Sequence, residues 1–375
     1  MDAENDWSGK LVEKARISGI QLFFFLIGFL YGSTSILNAA ISAKNDAWLA
    51  IILGGAGGAL LAAMYVAVAL LNPSKTLVEI LRDRFGRFAG NVVALLYIWY
   101  FIHLASLVFR NFGEFITTAT FPETPMAVIT GIFAALLVYG INSGVEVMGR
   151  VGELFMPFIP LIVIIISLSV LTTCDFMSFL PVLENGINPV LHAAFGFMTF
   201  PFGEMVVFLM LFPHLNKRGN MKKIVALSVL FIVALNLFIF FRDVCVLGSD
   251  LMYRATFVPH MTSLLIPGIN VEPLVDINLL IGGGMKISIC IYAAAKALSQ
   301  VLGIDDYRKL TMAITTFCVV LSIWLYENVL EMFNWAEKVW PYYSIPFQIA
   351  IPLLLLILSL KRNVKSSESE TLLKK

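Results

Sequence analysis

Ten strongly apolar blocks, each about 20 residues long, divide the sequence between residues 18 and 360. A helix needs about 20 apolar residues to cross the hydrocarbon core of a bilayer. Only 14% of the residues are charged, against about 25% in soluble domains, and the mean hydropathy is +0.87. The blocks therefore predict an all-α polytopic membrane protein with ten transmembrane helices, at residues 18–40, 47–71, 89–112, 125–142, 152–172, 190–213, 222–247, 274–302, 309–328 and 340–360.

Basic residues alternate along this series of predicted spans. With the N-terminus in the cytoplasm, 19 of the 26 lysines and arginines fall in cytoplasmic segments, five in outer segments and two within the eighth span. Cytoplasmic loops of membrane proteins carry this excess. We therefore predict a cytoplasmic N-terminal segment at 1–17, a ten-helix transmembrane domain at 18–360 and a cytoplasmic tail at 361–375. The tail is rich in Ser, Glu and Lys, which predicts disorder.

Residue types that mark catalysis or cofactor binding do not cluster along the chain. The four cysteines lack metal-ligand spacing, and we expect small buried side chains rather than ligands. Cys174 and Cys245 could lie near one face, where a disulfide is the weaker alternative. No Gly-x-x-x-x-Gly-Lys motif is present to hold a phosphate, and no basic patch alternates with aromatic residues. We expect no enzyme activity, no cofactor and no nucleic-acid partner.

The sixth predicted span is interrupted by residues 199–204, which read Thr-Phe-Pro-Phe-Gly-Glu. Pro201 removes a backbone donor and clashes with the preceding turn, and Gly203 loosens the same turn. Broken backbone and a carboxylate are tolerated at membrane depth where they are buried in protein or line a wet cavity. This stretch therefore predicts a binding site, with the candidate residues Thr199, Phe200, Phe202, Gly203 and Glu204.

The first predicted span carries a comparable weak point. Its candidate residues, two of them glycines and two of them hydroxyl residues, are Gly28, Tyr31, Gly32, Ser33 and Thr34. Spans 1 and 6 occupy corresponding positions in two five-helix halves, and paired interruptions of this kind indicate an inverted-repeat transporter with a site at the midplane. The alternative is that the glycines only allow two helices to pack closely.

Cations and aromatic residues in other spans could complete such a site. Lys286 follows three glycines in span 8, whereas Lys296 lies nearer the cytoplasmic end and can extend to the interface. Either lysine could instead serve as a structural partner of Glu204. In span 3, Tyr97 and Phe101 belong to an aromatic stripe, which is more often a packing surface than a binding surface.

Several motifs, in order along the chain, resemble one family. They are residues 17–22 (ISGIQL), 110–116 (RNFGEFI), 122–125 (PETP), 200–204 (FPFGE), 211–216 (LFPHLN) and 340–343 (WPYY). Together they resemble the B subunits of bacterial spore germinant receptors, within the amino acid–polyamine–organocation transporter superfamily. The resemblance implies a 5+5 inverted repeat with broken helices 1 and 6. It also implies a location in the spore inner membrane and assembly with an A subunit and a lipoprotein C subunit.

These observations lead to a functional hypothesis. A small amino acid or similar nutrient enters a cavity between spans 1, 3, 6 and 8. Its carboxylate meets backbone N–H groups near Gly32 and Thr34, and its ammonium meets carbonyls near Thr199 and Phe202. Partner subunits then respond to the shift in conformation. The alternatives are a proton-coupled amino acid permease and a scaffold that only stabilises its partners.

Overall fold

The computed structural model describes residues 16–171, 174–266 and 270–373, and nearly all of them are helical. Residues 1–15 of the predicted N-terminal segment lie outside these ranges. The α-helices, numbered along the chain, are α1 (Gly19–Thr34), α2 (Ala47–Leu71), α3 (Leu77–Phe85), α4 (Arg87–Ala119), α5 (Met126–Asn142), α6 (Val145–Phe155), α7 (Phe158–Ser169), α8 (Ile187–Phe197), α9 (Met221–Leu247), α10 (Ser249–Arg254), α11 (Val258–Leu264), α12 (Glu272–Leu302), α13 (Arg308–Trp324), α14 (Val329–Lys338), α15 (Trp340–Tyr343) and α16 (Ile351–Leu373).

Seven helical stretches of the described chain are long and apolar enough to cross a membrane. They are Ala39–Leu71, Arg87–Ala119, Val145–Ser169, Ile187–Met210, Arg218–Leu247, Glu272–Leu302 and Trp340–Arg362. α13 and α14 form an eighth candidate, bent by 101° between them, and two further apolar helices, Gly19–Gly32 and Met126–Asn142, are shorter. The all-α membrane architecture is confirmed, whereas the count of ten spans stays a prediction.

Local sequence signals set where α1 begins. The Ser18 side chain accepts a hydrogen bond from the Gln21 backbone N–H at 3.1 Å, and the Gln21 side chain accepts one from the Ser18 N–H at 2.9 Å. This reciprocal cap satisfies two of the donors that every helix start leaves without intrahelical partners. Just before it, Ile17 pairs with Leu215 in an isolated parallel bridge. The start of α1 is thereby tied to the end of the sixth span.

Three segments differ from the predicted boundaries. α1 stays helical through Thr34 and the first span is interrupted at residues 35–38, just beyond the predicted glycines, before a 3-10 helix at Ala39–Asp46. α13 ends at Trp324, so the predicted span 309–328 is too long. The predicted disordered tail is helical as far as Leu373, because it contains no Gly or Pro to stop the propagation of α16.

The sixth and eighth spans lie at the centre of the bundle. In the most apolar windows of Ile187–Met210 and Glu272–Leu302, 83% and 72% of the residues are buried, against 33% for Trp340–Arg362. A Cβ at Gly32 would collide with the carbonyl of Gly282, so the backbones of α1 and α12 touch. The broken span, α1 and α12 therefore meet in the interior, where a site would be held.

Candidate functional site

The sixth span is broken where the sequence predicts it. α8 ends at Phe197, a π-helical turn follows at Met198–Phe202, and the chain then continues as a 3-10 helix at Gly203–Met210. Phe200 leaves helical conformation, with φ −130° and ψ 103°, directly before Pro201. Gly203 donates its backbone N–H to Met198. The Thr199 carbonyl, which an unbroken α-helix would pair with that N–H, is therefore released from the helix.

Glu204, immediately after the break, forms an ion pair with Lys286 of α12. Lys286 Nζ lies 2.5 Å from Glu204 Oε2, and both side chains are completely buried. The same ammonium lies 4.8 Å from the ring centroid of Phe200 and 5.1 Å from that of Phe29. A cation over an aromatic face is stabilised by the ring quadrupole, the more so where water is excluded. The pairing with Lys286, which the sequence left open, is thus present.

A second polar side chain, which belongs to the last span, reaches the broken sixth span. Gln348, in a π-helical turn at Pro346–Ala350, donates from Nε2 to the Thr199 carbonyl and to the Tyr100 hydroxyl, both at 2.9 Å. The Tyr65 hydroxyl lies 2.8 Å from the carbonyls of Gly203 and Gln348 and shares its hydrogen between them. These bonds satisfy carbonyls that the break exposes. Thr199 O and Gly203 O are therefore held by protein groups.

The packing of the Gln348 side chain against the broken span requires glycine at position 203. A Cβ at that position would collide with the side-chain amide of Gln348. The hydroxyl of Thr199 turns back into its own helix, towards the carbonyls of Phe195 and Gly196 at 3.2 and 3.0 Å. In this conformation the Thr199 carbonyl accepts from the Gln348 amide, and its second lone pair leaves the contact with a ligand ammonium a prediction.

The predicted aromatic residues are packed against protein. Tyr97 donates from its hydroxyl to the Phe347 carbonyl at 2.7 Å, and its ring lies 5.9 Å from that of Phe101. Phe101 and Phe202 are fully buried. A Cβ at Gly58 would collide with the Phe202 ring, so Phe202 fills the space that this glycine leaves on α2. These three side chains surround the broken span as core.

The candidate residues of α1 form its C-terminal part. The last turn of a helix leaves carbonyls without partners, whereas its N–H groups are bonded within the helix. The N–H groups near Gly32 and Thr34 could receive a carboxylate only if this turn of α1 unwound, so that contact stays a prediction. Gly28 packs against Met156 and Met285, and Gly32 packs against α12, as the close-packing alternative expects. The side chain of Ser33 lies outside the described part of the chain.

Tyr31 and Thr34 border a small cavity of about 30 Å³ at this end of α1. Asn278, which also lines it, donates to the Tyr31 hydroxyl at 3.2 Å, and Arg242 is a further lining residue. Arg242 is itself paired with the buried carboxylate of Asp243, at 2.7 Å. This volume has room for about one or two water molecules, so the cavity is too small for an amino acid.

A larger vestibule of about 180 Å³ opens at the same end of the bundle. Its walls come from the 36–42 connection, the 252–258 segment and α14, and they include Asn38, Tyr253 and Glu337. Phe200 also lines it. Phe200, whose ring lies over Lys286 Nζ, therefore borders both the vestibule and the buried ion pair.

Sequence reasoning missed Gln348 and Tyr65, and it assigned Tyr100 only to the aromatic stripe of span 3. All three side chains are buried and bonded to each other or to the broken span. An amide side chain in a strongly apolar span was the one signal that could have identified Gln348, because membrane interiors retain such groups where they have partners. The two tyrosines carried no such signal, since most helices of the chain contain aromatic residues.

Sequence comparisons all identify the same family. A family model described as spore germination protein matches residues 16–329. Spore germination protein KB of Bacillus subtilis (strain 168) is 35% identical over 381 residues, covering 96% of this chain and 99% of that protein. Spore germination protein B2 of the same strain is 28% identical over 248 residues, covering 63% and 64% of the two chains.

Structural comparisons identify the fold. The closed conformation of Mhp1, a nucleobase-cation-symport-1 family transporter with bromovinylhydantoin bound, has a TM-score of 0.67 and 12% identity, covering 92% of this chain and 78% of its own. MhsT in complex with L-phenylalanine has a TM-score of 0.65 and 13% identity, covering 93% and 99%. The chain therefore has the LeuT-type fold of these transporters, with its interrupted first and sixth helices.

Proposed function

The chain belongs to the spore germination protein family, and on that premise we propose that it is the nutrient-sensing B subunit of a germinant receptor. It binds a small amino acid beside the Lys286–Glu204 pair and signals to the A subunit and the lipoprotein C subunit. It resides in the spore inner membrane with both termini in the cytoplasm.

The buried ion pair is the observation that carries this proposal. Two charges removed from water are costly, and a buried pair often stabilises a fold no more than apolar residues of the same size would. Intramembrane charges accordingly indicate function. Here the pair lies at the break of the sixth span, with no exposed surface on either side chain.

A zwitterion is the ligand that such a pair accommodates best. The carboxylate of an amino acid would bind the Lys286 ammonium, and its ammonium would bind the Glu204 carboxylate. One ion pair is thereby replaced by two, and neither protein charge is left buried without a partner at any stage. Phe200 and Phe29, which already contact the Lys286 ammonium, would cover the ligand side chain.

Access and signalling follow from the neighbours of the pair. Displacement of the Phe200 ring would admit the ligand from the vestibule. Separation of Lys286 from Glu204 would shift the broken span, to which Gln348 and hence α16 are bonded. The ligand would favour one of two conformations, and partner subunits would respond to that population shift.

The alternative is a proton-coupled amino acid permease. The transporter fold favours it, and Glu204 is a group that could take up and release a proton. The two functions share the same site and differ in whether the ligand is released on the cytoplasmic side.

A charge swap tests the site. The double variant Lys286→Glu with Glu204→Lys preserves an ion pair but reverses its polarity, so insertion in the membrane should persist while ligand binding is lost. Binding of labelled glycine, alanine, serine and valine to the purified chain is the measurement. The matched control swaps the i,i+4 pair of the buried Arg110 and the partly buried Glu114, which lies on α4 away from the broken span.

We expect at least one of these amino acids to bind the wild type and the control, and none to bind the swapped variant. Equal binding by wild type and swapped variant, or none by the wild type, would contradict the proposal. Uptake by liposomes that contain the chain alone separates the alternatives, because net accumulation driven by a proton gradient would identify a permease.

A further inference from the structure

Cys174 and Cys245 come together at the end of the bundle that holds the vestibule. Cys174 lies in the connection between α7 and α8, and Cys245 lies in the last turn of α9. The backbone N–H of Asp175 donates to the Cys245 carbonyl at 2.8 Å, and both cysteines are free thiols in the structure. The chain between these residues contains α8, the broken part of the sixth span and most of α9, so their proximity is a product of the fold.

Further contacts join the connection to α9 and to the 3-10 helix at Ala39–Asp46. The Phe179 ring packs edge-on against Phe241 of α9, with centroids 5.3 Å apart. Leu183 donates its backbone N–H to the Asp46 carboxylate at 2.8 Å, and Asn45 donates to the Pro181 carbonyl at 3.4 Å. The two cysteines are therefore held beside each other by several independent contacts.

We infer that Cys174 and Cys245 form a structural disulfide in the mature protein. The hydrogen bond from Asp175 to Cys245 joins the main chain next to Cys174 to that of Cys245, which brings the two residues near the Cα spacing of roughly 4.4–6.8 Å that a disulfide spans. The other cysteines, Cys290 and Cys318, are completely buried within α12 and α13 and take no part.

The chemistry needs an oxidant on the same side of the membrane. One thiolate attacks a disulfide of an external thiol–disulfide oxidoreductase, and the second thiolate resolves the mixed disulfide. The two cysteines lose two electrons and two protons, and the oxidant is reduced to two thiols. This requires that the vestibule end faces outward, away from the reducing cytoplasm, as the distribution of basic residues predicts.

The bond would hold the rim of the access route. α9 leads through Gly248 into the segment that contributes Tyr253 and Thr256 to the vestibule wall. The other partner, the 174–186 connection, leads into the α8 arm of the broken span. A disulfide would fix these two elements to each other while Phe200, deeper in the vestibule, stays able to move.

Differential alkylation of the full chain in native bacterial membranes tests this inference. Thiols are blocked with N-ethylmaleimide under denaturing conditions, disulfides are then reduced, and newly released thiols receive an isotopically heavy maleimide. Peptide mass spectrometry reads each cysteine separately. We expect the heavy label on Cys174 and Cys245 and the light label on Cys290 and Cys318.

Two cysteine variants and a reductant experiment serve as controls for this labelling pattern. Cys174→Ser should move Cys245 to the light label, whereas Cys318→Ser should leave the pattern of the other three unchanged. Reductant should lower the melting temperature of the wild type and leave that of Cys174→Ser unaffected. Light label on Cys174 and Cys245 in the wild type would overturn the inference. Neither result depends on ligand binding, so the proposed function is tested separately.

Discussion

The side-chain amide of Gln348 donates a hydrogen bond to the main-chain carbonyl of Thr199, at 2.9 Å, across 149 residues of sequence. The bond joins an irregular turn of the last span to the irregular turn of the sixth. Each irregular turn releases backbone groups that a lipid environment cannot satisfy. The protein pairs them with each other, so the two breaks stabilise one another.

Gln348→Ala should therefore destabilise the broken span. The buried Thr199 carbonyl would lose its donor, which costs about 1–3 kcal/mol. Thermal unfolding in detergent should show a lower melting temperature, and any ligand response should weaken because the sixth span is no longer bonded to α16. Asn334→Ala is the control, since Asn334 is exposed and bonds only within α14. An unchanged melting temperature for Gln348→Ala would show that another group replaces the amide.

The Lys286–Glu204 pair should behave differently when one or both partners are removed. Lys286→Met leaves a buried carboxylate without its cation, which costs about 3–5 kcal/mol, whereas replacement of both partners by apolar residues is often neutral. We expect Lys286→Met to be poorly retained in membranes and Lys286→Met with Glu204→Met to be retained but unable to bind ligand. Membrane abundance and labelled amino acid binding measure the two effects. Ligand binding by the double variant would place the site elsewhere.

Phe200 should be reachable from the vestibule and Phe202 should not. Phe200 lines the vestibule and retains 9% exposure, whereas Phe202, two residues later, has none. We expect Phe200→Cys to react with a membrane-impermeant methanethiosulfonate reagent added from outside, and Phe202→Cys to be protected. The background is a chain in which the four native cysteines are replaced. Equal reactivity of the two positions would show that Phe200 does not border the vestibule.

Gly32 should tolerate no side chain, for reasons of packing alone. A Cβ there would collide with the Gly282 carbonyl, so Gly32→Ala must push α1 away from α12. We expect a lower melting temperature and reduced membrane abundance. Gly131→Ala is the matched control within a helix, because nothing lies within 4 Å of its Cβ position and Ala favours helix by about 1 kcal/mol. A normal melting temperature for Gly32→Ala would contradict the contact.

Much of the fold was accessible from the sequence because its signals are local. Apolar blocks of membrane-crossing length predicted helices that the structure places within a few residues, and α2 coincides with its predicted bounds of 47–71. The break at Pro201 and Gly203 was also predicted, since a missing donor and a missing side chain act on the turn where they occur. The interruption of the first span lies at 35–38 and not at the predicted glycines, because Gly32 is part of a continuous helix that packs against α12.

What the sequence by itself determined is thus the membrane architecture, the place of the broken sixth span and the presence of a carboxylate beside it. Only the tertiary structure decided that Glu204 pairs with Lys286, that Gln348 bonds to Thr199, and that Tyr97 and Phe101 are packed core. The physical reason is that lipid is as apolar as leucine, so the apolar pattern of a membrane helix does not reveal which of its faces points inward. Contacts between distant spans depend on those faces, and packing alone selects them.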